Sequence, residues 1–288
     1  MSIKFSVVIT TYNRPEYLKE ALLGIKKQTI QPAEIIIIDD NSSCSYEEVL
    51  PLVEEMSANY IRQPESCGAN KARNIGVSLA KGDVVAFLDD DDIWLPNYLE
   101  KHSAMYSSGT QAVVCGFKQM GKETVEVINS DVEVTKSSLV RGNTYCGMSG
   151  FSAQRTLLKD HPFDESLNNG QDWDIYVRFF ELKINFKNIP EAIFLYRFQN
   201  EDGIGAKVRK MKPSEIDKRL GSAIKHQDFL GNYWFNKRVS EQLLFSLKHK
   251  NEKLAWIKKS IQMAGVVATT MFFVNLLKRK VFKKPMSI

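Results

Sequence analysis

Two short runs of this chain are apolar at every position, and they limit the folds open to it. Ile35 to Ile38 and Val84 to Leu88 show no alternation between apolar and polar residues. A strand of that kind is buried on both faces, as in a parallel sheet covered by helices. The two runs therefore predict an α/β fold.

Helical and strand patterns alternate through the first hundred residues, which supports that prediction. Predicted strands are residues 5–10, the two apolar runs and residues 60–62, and predicted helices are residues 15–27, 46–56 and 70–80. This order implies right-handed crossovers and an open twisted sheet. Further on, the sequence predicts strands at 112–117, 124–128, 148–153 and 192–196, a helix at about 172–182, a mobile loop at 199–206 and helices beyond Pro213.

Polar side chains gather where three of the predicted strands end. They are Thr10 to Asn13, Asp39 to Ser42 and Asp89 to Asp92. In open α/β sheets the ligand crevice lies outside the carboxyl ends of the strands. We therefore expect these three clusters to line one cleft.

Charge is spread unevenly along the chain. Of 288 residues, 39 are Lys or Arg and 34 are Asp or Glu, for a formal net charge of +5. Residues 248–288 hold ten basic residues and one acidic residue, so residues 1–247 carry a net −4. A mildly acidic body argues against a nucleic-acid-binding core, and the basic tail favours contact with an anionic surface.

The cysteines and the first residues favour the cytoplasm. Four cysteines without a C-x-x-C pair are too few for a disulfide scaffold of this length. The apolar run after Lys4 is five residues, too short for a signal peptide. None of the four histidines has ligand spacing with another, so we expect no zinc site.

The acidic run Asp89 to Asp92 directly follows an apolar strand, where four adjacent carboxylates repel one another. A bound divalent cation removes that conflict, and oxygen ligands suit Mg²⁺ or Mn²⁺. The alternative is a solvated acidic turn that caps the next helix near Pro96. The preceding strand and the two other polar clusters favour the metal site.

Four segments in order resemble the family 2 glycosyltransferases. They read Phe5-Ser-Val-Val-Ile-Thr-Thr-Tyr-Asn-Arg-Pro15, Glu34-Ile-Ile-Ile-Ile-Asp-Asp-Asn-Ser42, Ala72-Arg-Asn-Ile-Gly76 and Ala86-Phe-Leu-Asp-Asp-Asp-Asp-Ile-Trp94. The resemblance covers about residues 4–200. It implies the GT-A (Rossmann-like) fold, an open twisted mostly parallel sheet with helices on both faces, here followed by a C-terminal helical extension. It also implies inverting transfer from a nucleotide-sugar.

The resemblance assigns roles to the three clusters. Thr10, Tyr12 and Asp40 match the residues that hold the nucleotide base in the family. This role is physically reasonable for Tyr12, because its ring can stack on a base. Arg73 matches the basic residue near the diphosphate. In the D-x-D pair Asp91 is expected to bind the metal and Asp89 the ribose or the outer shell of the metal, with Asp90 also in the nucleotide-sugar site.

Asp172 is the predicted catalytic base. The segment Gly170-Gln-Asp-Trp-Asp-Ile-Tyr-Val-Arg178 resembles the E-D motif of the family, with an aspartate at the start of a helix. Gln171 stands where glutamate is usual, and Gln199 stands where many relatives have a histidine near the metal. Asp174 is the second candidate for the base, and a purely structural role for Asp172 is helix capping.

These matches predict an inverting glycosyltransferase that moves a sugar from a nucleotide-diphospho-sugar, UDP favoured, to a saccharide or lipid-linked saccharide in cell-surface glycan synthesis. Alternatives are a sugar-nucleotide binder with impaired catalysis and, less favoured, a D-x-D phosphotransferase. The predicted organisation is a donor-binding half at residues 1–110, an acceptor-binding half at 111–206 and a helical extension at 207–288.

The extension has an apolar stretch from Ile261 to Leu277, flanked by Lys258 and Lys259 before it and by Lys278 to Lys284 after it. Seventeen residues fall just short of a bilayer span of about 20 residues. Two interpretations stay open: a helix that rests on the anionic inner face of the membrane, or a helix buried in the protein or against another subunit.

Overall fold

The structure, a computed structural model, describes residues 3–198 and 211–282, which fall into two units. The first unit holds the described residues up to 135 together with residues 144–165 and 178–198. The second holds residues 136–143, residues 166–177 and the described residues beyond 198. The three-part division at residues 110 and 206 stays a prediction, and the predicted loop at 199–206 lies outside the described residues.

The described strands form one sheet in the first unit. They are β1 (Phe5–Thr11), β2 (Glu34–Asp39), β3 (Asn59–Arg62), β4 (Val84–Asp89), β5 (Ile93–Trp94), β6 (Ala112–Gln119), β7 (Lys122–Val127), β8 (Ser152–Gln154) and β9 (Phe186–Tyr196). Their order is β3-β2-β1-β4-β8-β6-β9-β5, with β7 paired to β6. The pairs among β1 to β4 are parallel, whereas β8, β7 and β5 pair antiparallel with their neighbours. The first strands therefore form the parallel sheet that the sequence predicts, and the later strands continue it as a mixed sheet.

The helices follow the predicted alternation. They are α1 (Pro15–Lys26), α2 (Leu50–Glu55), α3 (Ala69–Leu79), α4 (Tyr98–Tyr106), α5 (Lys136–Leu139), α6 (Arg155–Asp160), α7 (Gln171–Glu181), α8 (Asp217–Lys225), α9 (Gln227–Leu244) and α10 (Lys253–Phe282).

Three predicted boundaries are wrong. The helix predicted from Tyr46 begins at Leu50, where Pro51 occupies its first turn, because the residues before it form turns. β9 begins at Phe186, six residues before the predicted start, and runs through Pro190 beside a register shift in β6. The run at 148–153 is a 3₁₀ turn followed by β8.

The two apolar runs are buried as expected: Ile35 to Ile38 are at most 5% exposed and Val84 to Leu88 at most 1%. Helix α3 lies close against β1 at Gly76, where a Cβ atom would stand 2.4 Å from Cγ1 of Val8. This close approach positions α3, and Arg73 on it, against the sheet.

In the second unit α10 packs on α8 and α9 through an apolar cluster. Its members are Ile216, Leu220, Val239, Leu243, Leu244, Trp256 and Ala264. Gly265 leaves the helical conformation with φ at +82° and kinks α10. Within the described residues, the segment Lys253–Lys278 is the one helix whose length and mean hydropathy of 1.6 would allow it to cross a membrane.

We expect Gly76→Ala to lower the free energy of unfolding by about 1–3 kcal/mol, because the added methyl overlaps Val8. Without such an overlap, alanine stabilises a helix relative to glycine by about 1 kcal/mol. A net loss of stability would therefore mean that the steric overlap with Val8 outweighs this gain. Urea unfolding of wild type, Gly76→Ala, Val8→Ala and the double variant measures the effect. In the Val8→Ala background, Gly76→Ala should cost little. A Gly76→Ala protein as stable as wild type would contradict the close approach.

Candidate active site

The carboxyl ends of β1, β2 and β4 lie side by side. β1 pairs in parallel with both other strands, and the register sets Thr11 beside Asp39 and Thr10 beside Asp89. The three predicted polar clusters therefore lie at one edge of the sheet. The Tyr12 side chain, directly beyond β1, is 50% exposed at this edge, so its ring is accessible to a ligand.

A buried hydroxyl network joins the loops beneath this edge. Thr11 Oγ1 donates to Oδ2 of Asp90 at 2.8 Å and lies 2.7 Å from the Tyr46 hydroxyl, which then donates to Thr11. The Arg14 backbone N–H donates to the same tyrosine hydroxyl at 3.1 Å. Burial raises the pKa of Tyr46, so the network is neutral at Tyr46. Thr11 belongs to the predicted polar cluster Thr10 to Asn13, whereas Tyr46 was not predicted for the site because its sequence pattern is helical.

The Asp40 carboxylate holds the turn that precedes α3. It accepts hydrogen bonds from Ser66 Oγ at 2.8 Å, from the Cys67 N–H at 2.7 Å and from the Gly68 N–H at 3.0 Å. Burial opposes ionisation, but the hydrogen bonds from Cys67, Ser66 and Gly68 outweigh it and lower the pKa of Asp40. Asp40 is thus a loop-fixing carboxylate in this structure, and its contact with a nucleotide base stays a prediction.

Arg73 and Asp89, both predicted for the donor site, form an ion pair at 2.7 Å. Arg73 is 5% exposed and also donates to Oδ1 of Asn70, one turn earlier on α3, at 3.2 Å. The guanidinium is therefore fixed in position by its own helix. The register of β4 against β1 then brings Asp89 to it.

Arg14 is a site residue to which the sequence patterns assign no role. Its Nη1 lies 3.0 Å from Oδ2 of Asp91 and 3.3 Å from Oδ1 of Asp90. It precedes Pro15, the first residue of α1, so the start of that helix directs it at the acidic run. Its position inside the quoted first segment, between Asn13 and Pro15, is the signal that could have identified it.

Asp92 and Arg197 close the other side of the run. Asp92 is 1% exposed and accepts from Ser149 Oγ at 2.5 Å and from the Arg197 N–H at 3.0 Å. The Arg197 side chain donates from Nε to the Asp91 carbonyl at 3.0 Å and pairs with Glu20. Arg197 follows β9, so the mixed half of the sheet also contributes to this edge.

The acidic run is electrostatically strained. Burial, together with the neighbouring Asp91 carboxylate, raises the pKa of Asp90 to about 7. Burial and Asp89 raise the pKa of Asp91, and burial with Asp91 and Asp89 raises that of Asp92. Arg14 opposes these shifts for Asp90 and Asp91. Additional positive charge at this position would therefore be bound favourably.

The donor chemistry of the run fits a divalent cation, because carboxylate oxygens are the ligands that Mg²⁺ and Mn²⁺ prefer. Across residues 3–198 and 211–282, however, no three His, Cys, Asp or Glu side chains are arranged to hold one metal ion. Asp91 and Asp89 therefore fit such a cation only together with oxygen atoms that a bound ligand brings.

Asp172 lies at the start of α7 in the second unit. Asn143 Nδ2 donates to its Oδ2 at 2.5 Å, and the Trp173 N–H donates to its Oδ1 at 2.8 Å. Both of these donors are neutral groups. Its role as the base stays a prediction.

Asp174, the second candidate for the base, is 1% exposed and already paired. His226 Nε2 and Lys225 Nζ each lie 2.8 Å from its Oδ1. These partners favour a structural role for Asp174. Gln171 donates to the Leu167 carbonyl at 2.9 Å, and Gln199 lies outside the described residues.

Comparison with known proteins gives a consistent family. The model of the family described as glycosyl transferase family 2 matches residues 6–166, more than half of the chain. The uncharacterized glycosyltransferase YwdF of Bacillus subtilis is 31% identical over 220 residues, which cover 69% of this chain and 75% of YwdF. A Campylobacter jejuni protein named GalNAc(5)-diNAcBac-PP-undecaprenol beta-1,3-glucosyltransferase is 27% identical over 210 residues, covering 70% and 67%.

Solved structures share the fold. TarS of S. aureus in complex with UDP-GlcNAc superposes with a TM-score of 0.68 at 21% identity, over 91% of this chain and 82% of that one. The mannosyltransferase PcManGT of Pyrobaculum calidifontis in complex with GDP-Man and Mn²⁺ gives 0.61 at 15% identity, over 97% and 81%. A longer TarS chain is covered to 50% of its length. The expected GT-A fold is confirmed.

We expect Asp40→Asn to lower the free energy of unfolding by about 1–3 kcal/mol at pH 7, because hydrogen bonds to a charged acceptor are lost. Since folding lowers the pKa of Asp40, its contribution is complete above about pH 4 and is lost as the pH falls through the lowered pKa. Urea unfolding between pH 7 and pH 3.5 should show the gap between variant and wild type closing toward acid.

Asp83→Asn is the matched control, since this exposed carboxylate accepts one backbone hydrogen bond, from Lys4. It should change stability by less than about 0.5 kcal/mol. If the free energy of unfolding of Asp40→Asn equals that of wild type at pH 7, or differs from it by the same amount at every pH, the proposed role of the Asp40 charge is contradicted.

Proposed function

Because the chain belongs to glycosyl transferase family 2, we propose that it is an inverting, metal-dependent hexosyltransferase. It moves a sugar from a nucleotide-diphospho-sugar, UDP-linked, to an acceptor hydroxyl in the synthesis of a cell-surface glycan such as a capsule, an O-antigen or another polysaccharide. The observation that carries this proposal is the meeting of three parallel strand ends around the ion pairs of Arg73 with Asp89 and Arg14 with Asp91.

The relatives support the donor and acceptor classes. TarS is described in complex with UDP-GlcNAc, and the name of the Campylobacter jejuni relative specifies an acceptor carried on undecaprenol. A saccharide or lipid-linked saccharide acceptor at the inner face of the cytoplasmic membrane is consistent with both.

In the proposed donor site the exposed Tyr12 ring stacks on the base, with Thr10 beside it. Asp40 acts through the turn at residues 66–68 that it fixes. Arg73, positioned by α3, binds the diphosphate, and Asp89 with Asp90 completes the pocket on the sugar side.

Asp91, with Asp89 beside it, would hold the Mn²⁺ or Mg²⁺ ion together with the donor diphosphate. When bound, such an ion supplies neutralisation of the charge that develops on the leaving diphosphate. The chain itself would neutralise part of that charge through Arg73 and Arg14, whose guanidinium groups already lie at the acidic run.

Transfer forms a bond from the acceptor oxygen to the anomeric carbon and breaks the bond from that carbon to the phosphate oxygen. The electron pair of the broken bond leaves with the nucleoside diphosphate. Asp172 takes the proton of the acceptor hydroxyl as the oxygen attacks. Asn143 holds the carboxylate through Oδ2. Attack from the side opposite the leaving group inverts the anomeric carbon.

We expect Asp172→Asn to lower turnover by about 10²–10⁴-fold, the usual contribution of a general base, while UDP affinity changes less than twofold. UDP release from a panel of UDP-sugars with Mn²⁺, with and without EDTA, measures turnover, and calorimetry with UDP measures binding. Glu181→Gln, an exposed change at the end of the same helix, is the control and should behave as wild type.

Near wild-type turnover of Asp172→Asn would remove Asp172 from the mechanism. Turnover that persists in EDTA would remove the metal. UDP binding without release from any donor would favour the sugar-nucleotide binder, the alternative suggested by Gln171.

We also propose that α10 attaches the protein to the anionic inner surface of the membrane. One face of α10 packs on the protein through Trp256, Ser260 and Ala264, each at most 2% exposed. Beyond the kink, another face exposes apolar side chains at helical spacing: Val267 is 74% exposed, Met271 36%, Val274 43% and Leu277 62%. An exposed apolar stripe of this kind indicates a partner.

Charge favours a bilayer over a second copy of the chain as that partner. Residues 253–288 contain eight Lys or Arg and no acidic residue, so two such helices would repel each other. Each basic residue near an anionic surface contributes about 1 kcal/mol. The kink at Gly265 and the packed face favour a helix that lies in the interface over one that crosses the bilayer.

We expect the double variant Val267→Asp/Val274→Asp to bind vesicles of 30% phosphatidylglycerol in phosphatidylcholine at least about tenfold more weakly than wild type, a change of about 1.4 kcal/mol. Co-sedimentation of the full chain measures it. Val125→Asp, a 45% exposed valine of β7, is the control and should bind as wild type.

Equal binding of the double variant and wild type would contradict this attachment. So would equal binding of wild type to vesicles without phosphatidylglycerol. Resistance to extraction at alkaline pH would indicate a crossing helix instead.

A further inference from the structure

Arg14 contacts the acidic run through a single nitrogen atom. Its Nη1 lies 3.0 Å from Oδ2 of Asp91 and 3.3 Å from Oδ1 of Asp90. An arginine binds a carboxylate most strongly when two of its nitrogens donate to the two oxygens of one group. Arg14 instead divides one nitrogen between two carboxylates, and its side chain is 26% exposed. The guanidinium group is therefore held less firmly than in a bidentate pair.

The other two arginines at the acidic run are bound more firmly. Arg73 is almost fully buried and also donates to a side chain of its own helix. Arg197 is bound through its backbone N–H, which donates to Asp92, and through its Nε, which donates to the Asp91 carbonyl. Of the three arginines, Arg14 is therefore the one whose guanidinium group can change partner with the smallest loss of contacts.

The backbone of Arg14 is fixed although its guanidinium group is not. The Arg14 N–H donates to the Tyr46 hydroxyl at 3.1 Å, and Pro15 follows as the first residue of α1. The guanidinium carbon of Arg14 lies 5.9 Å from the centre of the Tyr17 ring. A cation–π contact at the limit of its range is weak. The side chain can therefore exchange one anionic partner for another while its starting point stays in place.

Asp91 is also the residue that we expect to hold the divalent cation. Its Oδ2 accepts from Arg14, so a cation on this oxygen would share it with a guanidinium group. Oxygen ligands lie about 2.1 Å from Mg²⁺, which would put such an ion no more than about 5 Å from Nη1 of Arg14. Two positive groups at that separation repel each other, and more strongly near the protein than in bulk water. Arg14 and the cation therefore compete for Asp91.

A nucleotide-diphospho-sugar relieves this competition. Its diphosphate brings anionic oxygens, and a guanidinium group binds phosphate as well as it binds carboxylate. An Arg14 that donates to these oxygens leaves Asp91 to the cation. The cation in turn replaces the positive charge that Asp90 loses when Arg14 changes partner.

We propose that Arg14 couples the binding of the divalent cation to the binding of the nucleotide donor, because it keeps the Asp91 carboxylate paired until a diphosphate accepts its guanidinium group. The inference rests on the proposed function, in which Asp91 holds the cation. Coupling between two ligands is reciprocal, so each raises the affinity for the other by the same factor. The cation alone then binds weakly, and the cation and the donor bind strongly together.

The test measures Mn²⁺ binding by electron paramagnetic resonance, which detects the unbound ion, and it needs no transfer reaction. In wild type we expect UDP to raise the affinity for Mn²⁺ at least about thirtyfold, within the range usual for coupled sites. In Arg14→Met, Mn²⁺ alone should bind about tenfold more tightly than to wild type, because the competing cation is gone. The further gain from UDP should fall by about the same factor. Arg14→Lys keeps the charge and should retain most of the coupling.

Lys26→Met is the matched control. Lys26 is the last residue of α1, about 18 Å from Arg14 along the helix axis, and it also pairs with a carboxylate, that of Glu55. The variant removes the same charge and should bind Mn²⁺ and UDP as wild type does. The association of Mn²⁺ with UDP in solution is the same for every variant, so differences between variants belong to the protein.

Mn²⁺ binding to folded Arg14→Met that is equal to or weaker than binding to wild type overturns the inference. So does a wild type whose Mn²⁺ affinity is unchanged by UDP. That second measurement needs no variant, so it decides the matter even if Arg14→Met does not fold.

The proposed function fails separately, if turnover persists in EDTA or in Asp172→Asn. Metal-dependent turnover in wild type, together with an unchanged Mn²⁺ affinity in Arg14→Met, defeats this inference alone.

Discussion

Four consecutive carboxylates at the end of a buried strand depend on arginines from three other parts of the chain. Arg73 comes from α3, Arg14 from the turn before α1 and Arg197 from the segment after β9. A buried ion pair that loses one partner costs about 3–5 kcal/mol, because the remaining charge is left unpaired. The acidic run therefore ties the parallel half of the sheet to the mixed half, and the fold and the site share the same contacts.

The parallel sheet was predictable from the sequence because a strand that is buried on both faces is apolar at every position. The run Ile35 to Ile38 indicates a strand in the protein interior. The carboxyl ends of parallel strands of this kind meet at one edge of the sheet. The parts of the site that lie within one strand end, such as Asp89 and Asp91, are predictable for the same reason. Arg73 was predictable only through its resemblance to a family motif.

The arginines at longer range were not predictable from local pattern. Arg197 is 106 residues from Asp91, and nothing near Arg197 in the sequence indicates that partner. Tyr46 reads as helical but serves as a buried hydroxyl below β1. The contact of Asp40 with a nucleotide base stays a prediction, but its hydrogen bonds to the turn at residues 66–68 could not be predicted from the sequence. In each case a tertiary contact sets the role, and a single sequence does not record it.

Charge balance at the strand ends gives a physical reason for the proposed joint binding of the donor and a divalent cation. With all groups ionised, Asp89 to Asp92, the Arg197 partner Glu20 and the three arginines leave a net charge of −2. A nucleotide-sugar adds about one negative charge for each of its two phosphates, and alone it would compete with Asp89 and Asp91 for Arg73 and Arg14. Under the proposed function, a divalent cation held beside Asp91 would offset the added charge, and Arg14 and Arg73 would be the chain's own cations near the diphosphate. The arginines that stabilise the acidic run would then also meet the leaving group.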